Sequence, residues 1–198
     1  MLTPRSHFAA ARIESQGAVV VAGGRVSDHR SIVAAEVLKD GKWSALPSLP
    51  SRVCQCEGVM LGEDFVVLGG RGDDGRITAE VHALRVVGGD IGASSWRALP
   101  PMLTPRYQFG AAVIGSSIVV LGGMGDGNVV LESAEVFDEI EQQWRTLPLR
   151  LQVAFFGVAV VPPTTTPPST VRHTHAFVDV RVPPLAFVDA LRVSRSSQ

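Results

Sequence analysis

Residues 110–123 read GAAVIGSSIVVLGG: an apolar run, a Gly-Ser-Ser break, a second apolar run and a closing pair of glycines. Apolar, β-branched runs of this length bounded by glycine suit strands and are too short for helices. The phrase recurs upstream, where Gly23 and Gly24 close GAVVVAGG and Gly69 and Gly70 close GEDFVVLGG. A double glycine fits a tight exit that needs positive φ. The loops that follow, RVSDHR, RGDDGR and MGDGN, are rich in turn formers.

Three further marks travel with the glycines. Trp43, Trp96 and Trp144 open the phrases WSALP, WRALP and WRTLP, and Glu36, Glu80 and Glu135 stand in AAEVL, TAEVH and SAEVF. Arg5, Arg52 and Arg106 each begin the run that leads into the unit. Four marks in one fixed order, at a period of about fifty residues, identify a tandem repeat. Each unit reads as a four-stranded meander. One such sheet cannot cover both its faces, so the copies must stack face to face around a common axis, which is a β-propeller.

Apolar run, double glycine, acidic-apolar strand, spaced tryptophan, then Leu-Pro before an arginine: in this combination the sequence resembles the kelch repeat family, over residues 2 to 150. The resemblance implies that the strand begun by the arginine lies innermost, that the double glycine ends the second strand, and that the tryptophan lies on the outermost one. The inner strands would then fall at 5–14, 52–61, 106–114 and 150–161. Leu38, Leu84 and Phe137 stand where the family usually has tyrosine, and the second copy inserts VGGDIGAS at 87–94. A fourth unit opens at Arg150 with RLQVAFFGVAVV, but Thr166, Pro167 and Pro168 occupy the place of its glycine pair.

The expected fold is therefore all-β, an incomplete kelch-type β-propeller over residues 1–161. Its blades would span about 5–51, 52–105 and 106–149, with an extra inner strand at 150–161. Residues 162–198 read as a Pro/Thr-rich linker and irregular tail, in which HAFVDVRV and LAFVDALRV repeat the letters AFVD. Closed propellers of the family have more blades than this. A second chain, the tail, or further blades would have to cover the outer faces.

Charge and composition narrow the function. A net charge of −1 gives no basic excess, which argues against nucleic acid and membrane surfaces as partners. No apolar run reaches the roughly 20 residues of a spanning helix, and the N-terminus lacks a signal-peptide layout, so a cytoplasmic location is expected. Cys54 and Cys56, two residues apart, read as small buried residues rather than a disulfide or metal pair. The GxGxxG spelling at 70–75 leads into a strand, not a helix, so no dinucleotide is expected there. The single tyrosine, Tyr107, cannot supply the copper ligands of galactose oxidase-like relatives. No cofactor and no catalysis are expected. The alternatives are a propeller fragment of an enzyme or small-molecule binder, galactose oxidase-like or sialic-acid mutarotase-like, and a truncated product.

What remains is binding. Arg5, Arg52, Arg106 and Arg150, at the heads of the inner strands, would converge on one mouth of the channel, where guanidinium groups can grip a carboxylate. The competing role is internal, each arginine pairing with a carboxylate or with backbone carbonyls. Residues that do not follow the repeat mark private function: Arg25, Asp28, His29 and Arg30 in the first loop, Arg71, Asp73, Asp74 and Arg76 in the second, Asp126 and Asn128 in the third. The expected role is a protein-interaction module that binds a partner protein or acidic peptide, with self-association through exposed blade faces as a further option.

Overall fold

The structure, a computed structural model, describes residues 1–27, 29–86 and 95–150, excepting the side chains of residues 149 and 150. Three four-stranded sheets are built from consecutive strands. The first holds β1 (Ala9–Ile13), β2 (Ala18–Ala22), β3 (Ala35–Lys39) and β4 (Lys42–Leu46). The second holds β5 (Glu57–Leu61), β6 (Asp64–Arg71), β7 (Ile77–Arg85) and β8 (Arg97–Leu99). The third holds β9 (Gly110–Ile114), β10 (Ser117–Leu121), β11 (Ser133–Asp138) and β12 (Gln143–Arg150). Every neighbouring pair is antiparallel. The fold is the expected all-β, partial kelch-type propeller.

The first strands of the sheets meet one another, β1 against β5 and β5 against β9, which makes them the hub. Gly58 permits the closest approach: a Cβ there would lie 2.8 Å from the Ala10 amide nitrogen and 3.0 Å from the Ala9 Cβ. The sheets then pack face to face. Phe65 and Val67 of β6 enter a core with Ala9, Ile13 and Val20 of the first sheet. Val66 and Leu68, on the opposite side of the same strand, enter a second core with Phe109, Ile118 and Val120 of the third. A strand buried on both faces has no polar side, which is why its sequence does not alternate.

Directional bonds repeat at both seams. Trp96 Nε1 donates to the Pro47 carbonyl and Trp144 Nε1 to the Pro100 carbonyl, each at 2.8 Å, so each outer tryptophan reaches the Leu-Pro phrase of the preceding sheet. The second glycine of each pair donates forward, Gly24 N–H to the Val53 carbonyl and Gly70 N–H to that of Arg106, again at 2.8 Å. Gly70 has a φ of +107°, and a Cβ there would stand 2.7 Å from the Cys54 carbonyl oxygen. At the hub, Gln55 N–H donates to His7 O (2.7 Å) and Gln108 N–H to Gln55 O (3.1 Å).

Two positions differ from the sequence reading. In the second sheet the residue equivalent to Arg5 and Arg106 is Val53, not Arg52. Ser6, Cys54 and Tyr107 form matching bridges to Arg25, Arg71 and Met124, so Arg52 stands one residue too early. Arg150 does not head an inner strand. It ends β12 and faces Ser133 across the ladder. In the earlier units about ten residues separate an outer strand from the next inner one, enough chain to cross back over a blade about 14 Å wide. The Arg150 side chain, Asp28, the insertion at 87–94, the strand expected at 151–161 and the tail at 162–198 lie outside the described residues.

Candidate functional site

In a four-stranded meander, the segment that leads into the first strand and the loop between the second and third strands lie at the same end. The bridges Ser6–Arg25, Cys54–Arg71 and Tyr107–Met124 tie them together in each sheet. The described candidate binding residues read from the sequence belong to this end.

Among the described side chains the arginines do not gather into one guanidinium cluster. Arg5 and Arg106 have fully buried side chains, each closed against the glutamate of its own sheet, Glu36 and Glu135. Arg5 Nη1 also donates to the carbonyls of Gly23 (3.0 Å) and Ala34 (2.6 Å), and Arg106 Nη1 to those of Gly122 (2.7 Å) and Ser133 (3.3 Å). The glutamates in turn bind the incoming chain: Leu2 N–H donates to Glu36 at 2.7 Å and Leu103 N–H to Glu135 at 2.8 Å. Burial pushes the Glu36 carboxyl up, but the Leu2 and Thr3 amides and the Arg5 charge outweigh it and hold it below its ordinary value. Burial lowers the Arg106 guanidinium, and Glu135 only partly opposes this. These pairs are internal struts.

Arg52 is different. It is exposed, and its Nη1 donates to the Ser31 carbonyl of the first sheet at 2.9 Å. The Ser31 amide donates to the Asp73 carboxylate of the second, whose pKa is lowered chiefly by that bond and then by the Ser31 hydroxyl. Arg71 lies over the Tyr107 ring of the third sheet, 5.7 Å from its centroid, and donates from Nε to Gly75 O at 3.1 Å. Tyr107 Oη donates to Asn128 Oδ1 at 2.6 Å. Asp74 accepts from the Arg76 amide at 3.0 Å. Arg25 is half-buried and His29 exposed, the latter with φ +65°. Arg52, Asp73, Arg71 and Tyr107 thus link the loops of three sheets, with Arg25, His29, Asp74, Arg76 and Asp126 around them.

Cys54 and Cys56 are both buried thiols, and burial, with Glu57 nearby, pushes Cys56 up to about 12. Among the described residues no three His, Cys, Asp or Glu side chains converge as metal ligands, and no helix is long and apolar enough to cross a membrane.

Sequence reasoning missed three features. His7, Gln55 and Gln108, which carry the hub bonds, all have left-handed backbones, with φ of 56°, 56° and 51°. Their signal was a polar residue two places after Arg5, Val53 and Arg106. The tryptophan acceptors, Pro47 and Pro100, stand in the repeated Leu-Pro phrase. The third is a substitution in the second sheet. Val67 pairs with His82 there, whereas Val21 pairs with Glu36 and Val120 with Glu135. Glu36 and Glu135 follow Gly23 and Gly122 by 13 residues, whereas Glu80 follows Gly69 by only 11, so in the same ladder register His82 takes the place of the glutamate, and Val53 that of the arginine.

Comparison with known proteins agrees with this geometry. A Kelch motif family model matches residues 105–148. Kelch-like protein 38 of Rattus norvegicus is 25% identical over 199 residues, covering 98% of this chain and 31% of the relative. Beta-scruin of Limulus polyphemus is 30% identical over 176 residues, covering 81% of this chain and 18% of the relative. The chain therefore spans under a third of the length of either protein.

Proposed function

Because the chain belongs to the kelch repeat family, we propose that it is a protein-interaction module that binds a partner through the face where the lead-in segments and the loops between second and third strands meet. The observation that carries this reading is the chain of contacts Arg52–Ser31–Asp73 and Arg71–Tyr107–Asn128. It holds residues of three sheets in one continuous, polar, partly exposed surface, on a scaffold whose remaining repeat residues are committed to packing. Loops held by a rigid framework are where recognition concentrates. Arg5 and Arg106 take no part, since their guanidinium groups are buried in internal pairs. The contacting cations are Arg25, Arg52 and Arg71, and they fit an acidic stretch of a protein partner. Asp73 and Asp74 between them would set the register of its own cations. No chemistry is assigned to the module.

An array of short acidic, neutral and basic peptides, probed with the wild-type protein and with Arg52→Glu and Arg71→Glu, tests it. Acidic peptides should be retained, and each reversal should weaken that retention by about tenfold or more. Retention indifferent to both reversals, in folded proteins, overturns the reading.

A further inference from the structure

The second sheet departs from the pattern of its neighbours, and the departure leaves a cavity. In the first and third sheets a guanidinium is held by the carbonyl of the first paired glycine, by a carbonyl at the head of the third strand, and by a carboxylate. These head carbonyls, of Ala34 just before β3 and of Ser133 at the start of β11, also accept the glycine amide at 3.0 Å, which uses one lone pair each. Ala35, Val81 and Ala134 occupy one ladder position, opposite Ala22, Leu68 and Leu121, so Glu80 stands where Ala34 and Ser133 do. Gly69 and Glu80 thus offer the corresponding carbonyls, and Glu80 adds a carboxylate on the same side of the strand as His82.

Val53 supplies no guanidinium to meet them. A cavity of about 10 Å³ remains, lined by Ser51, Val53, Val67, Gly69, Glu80 and His82 among others. His82 Nε2 lies 3.2 Å from Glu80 Oε2, and its Nδ1 is buried without a partner among the described residues. With Nε2–H donated to Glu80, Nδ1 is an acceptor, and a buried acceptor left unpaired is costly. Such a volume holds one water. A guanidinium is larger than that, so its entry requires the exposed rim to part, where Ser51 Oγ donates to Glu80 Oε2 at 3.3 Å.

We propose that this cavity binds a guanidinium group, the arginine side chain of a bound protein, which takes in the second sheet the place that Arg5 and Arg106 hold in the first and third. All the groups offered, two carbonyls, a carboxylate and an imidazole nitrogen, are acceptors. A planar fork of five donors matches them, whereas an ammonium presents one point of charge. Arg52, next to Val53, is tied to the Ser31 carbonyl instead. The proposal rests on the interaction-module reading only for the source of the arginine.

The test follows the His82 ring resonances during titration with a short arginine peptide and with its lysine and citrulline counterparts. The arginine peptide should give a saturable shift, at least about tenfold tighter than either counterpart. Val53→Arg should abolish the response by filling the cavity from within, and Glu80→Gln, an exposed position, should weaken it. If Val53→Arg does not fold, Glu80→Gln and the lysine comparison still decide. Equal binding of arginine and lysine, a full response in either variant, or no shift at any arginine concentration, which would leave a water site only, overturns the proposal. The response depends on Val53 and Glu80, and acidic-peptide retention on Arg52 and Arg71, so either claim can fail alone.

Discussion

Arg106 and Arg52 carry the same repeat signature, yet the physical roles of the two side chains are opposite. Arg106 has no exposed surface, pairs with a buried Glu135, and leaves its own Nε without an acceptor among the described residues. Removing one member of a buried pair strands the other charge in a medium that cannot solvate it. Arg106→Ala should therefore cost about 3–5 kcal/mol of unfolding free energy. Arg52 is exposed and bonded to one carbonyl, so Arg52→Ala should stay within about 0.5 kcal/mol. Urea unfolding of the two variants makes the comparison. Equal losses would mean that Arg52, not Val53, is the second sheet's structural counterpart of Arg5.

At the scale of the strand, β5 is the crowded element, pressed by β1 on one side and β9 on the other. Glu57 begins it, and burial pushes its carboxyl up to about 7, only partly opposed by the Gly58 amide. A carboxyl raised above its ordinary 4.5 is protonated more readily folded than unfolded. Stability is then fullest below 4.5, falls as the pH rises to about 7, and levels off beyond. Glu57→Gln should remove that fall: melting temperatures should match wild type in acid and exceed it above neutrality, as calorimetry across the range would read. A wild-type profile retained by the variant would place the titration elsewhere. How far such elements could be read from sequence varied with how local their cause is. β2, β6 and β10 were legible because an apolar run ending in Gly-Gly reports burial and positive φ at the same residues. The replacement of glutamate by His82 was masked by spelling: TAEVH shares the letters AEV with its siblings, but Glu80 follows Gly69 by 11 residues where Glu36 and Glu135 follow their glycines by 13, and strand pairing obeys the spacing, not the phrase. The proposed binding face was legible as a set of loops, while the division of its arginines into struts and exposed cations required the third dimension.

For the whole molecule, the second sheet belongs to two cores at once. Phe65 and Val67 bind it to the first sheet, Val66 and Leu68 to the third, and the two sets share a strand without sharing a side. An array joined this way is stabilised by its seams, so damage to one seam should release the end sheet beyond it before the rest unfolds. Phe65→Ala removes a fully buried ring from the first seam, a change worth about 3–5 kcal/mol. Amide exchange should then quicken at Val20 and Val37, in β2 and β3, while Val120 and Val136, in β10 and β11, keep their wild-type rates. Ile118→Ala, equally buried in the second seam, should give the mirror image. The alternative is a single cooperative unit, in which either substitution accelerates all four amides by one common factor. In that outcome the hub bonds from His7 through Gln55 to Gln108, rather than the apolar seams, would be what couples the sheets, because they pass from the first sheet to the third through one shared residue, Gln55.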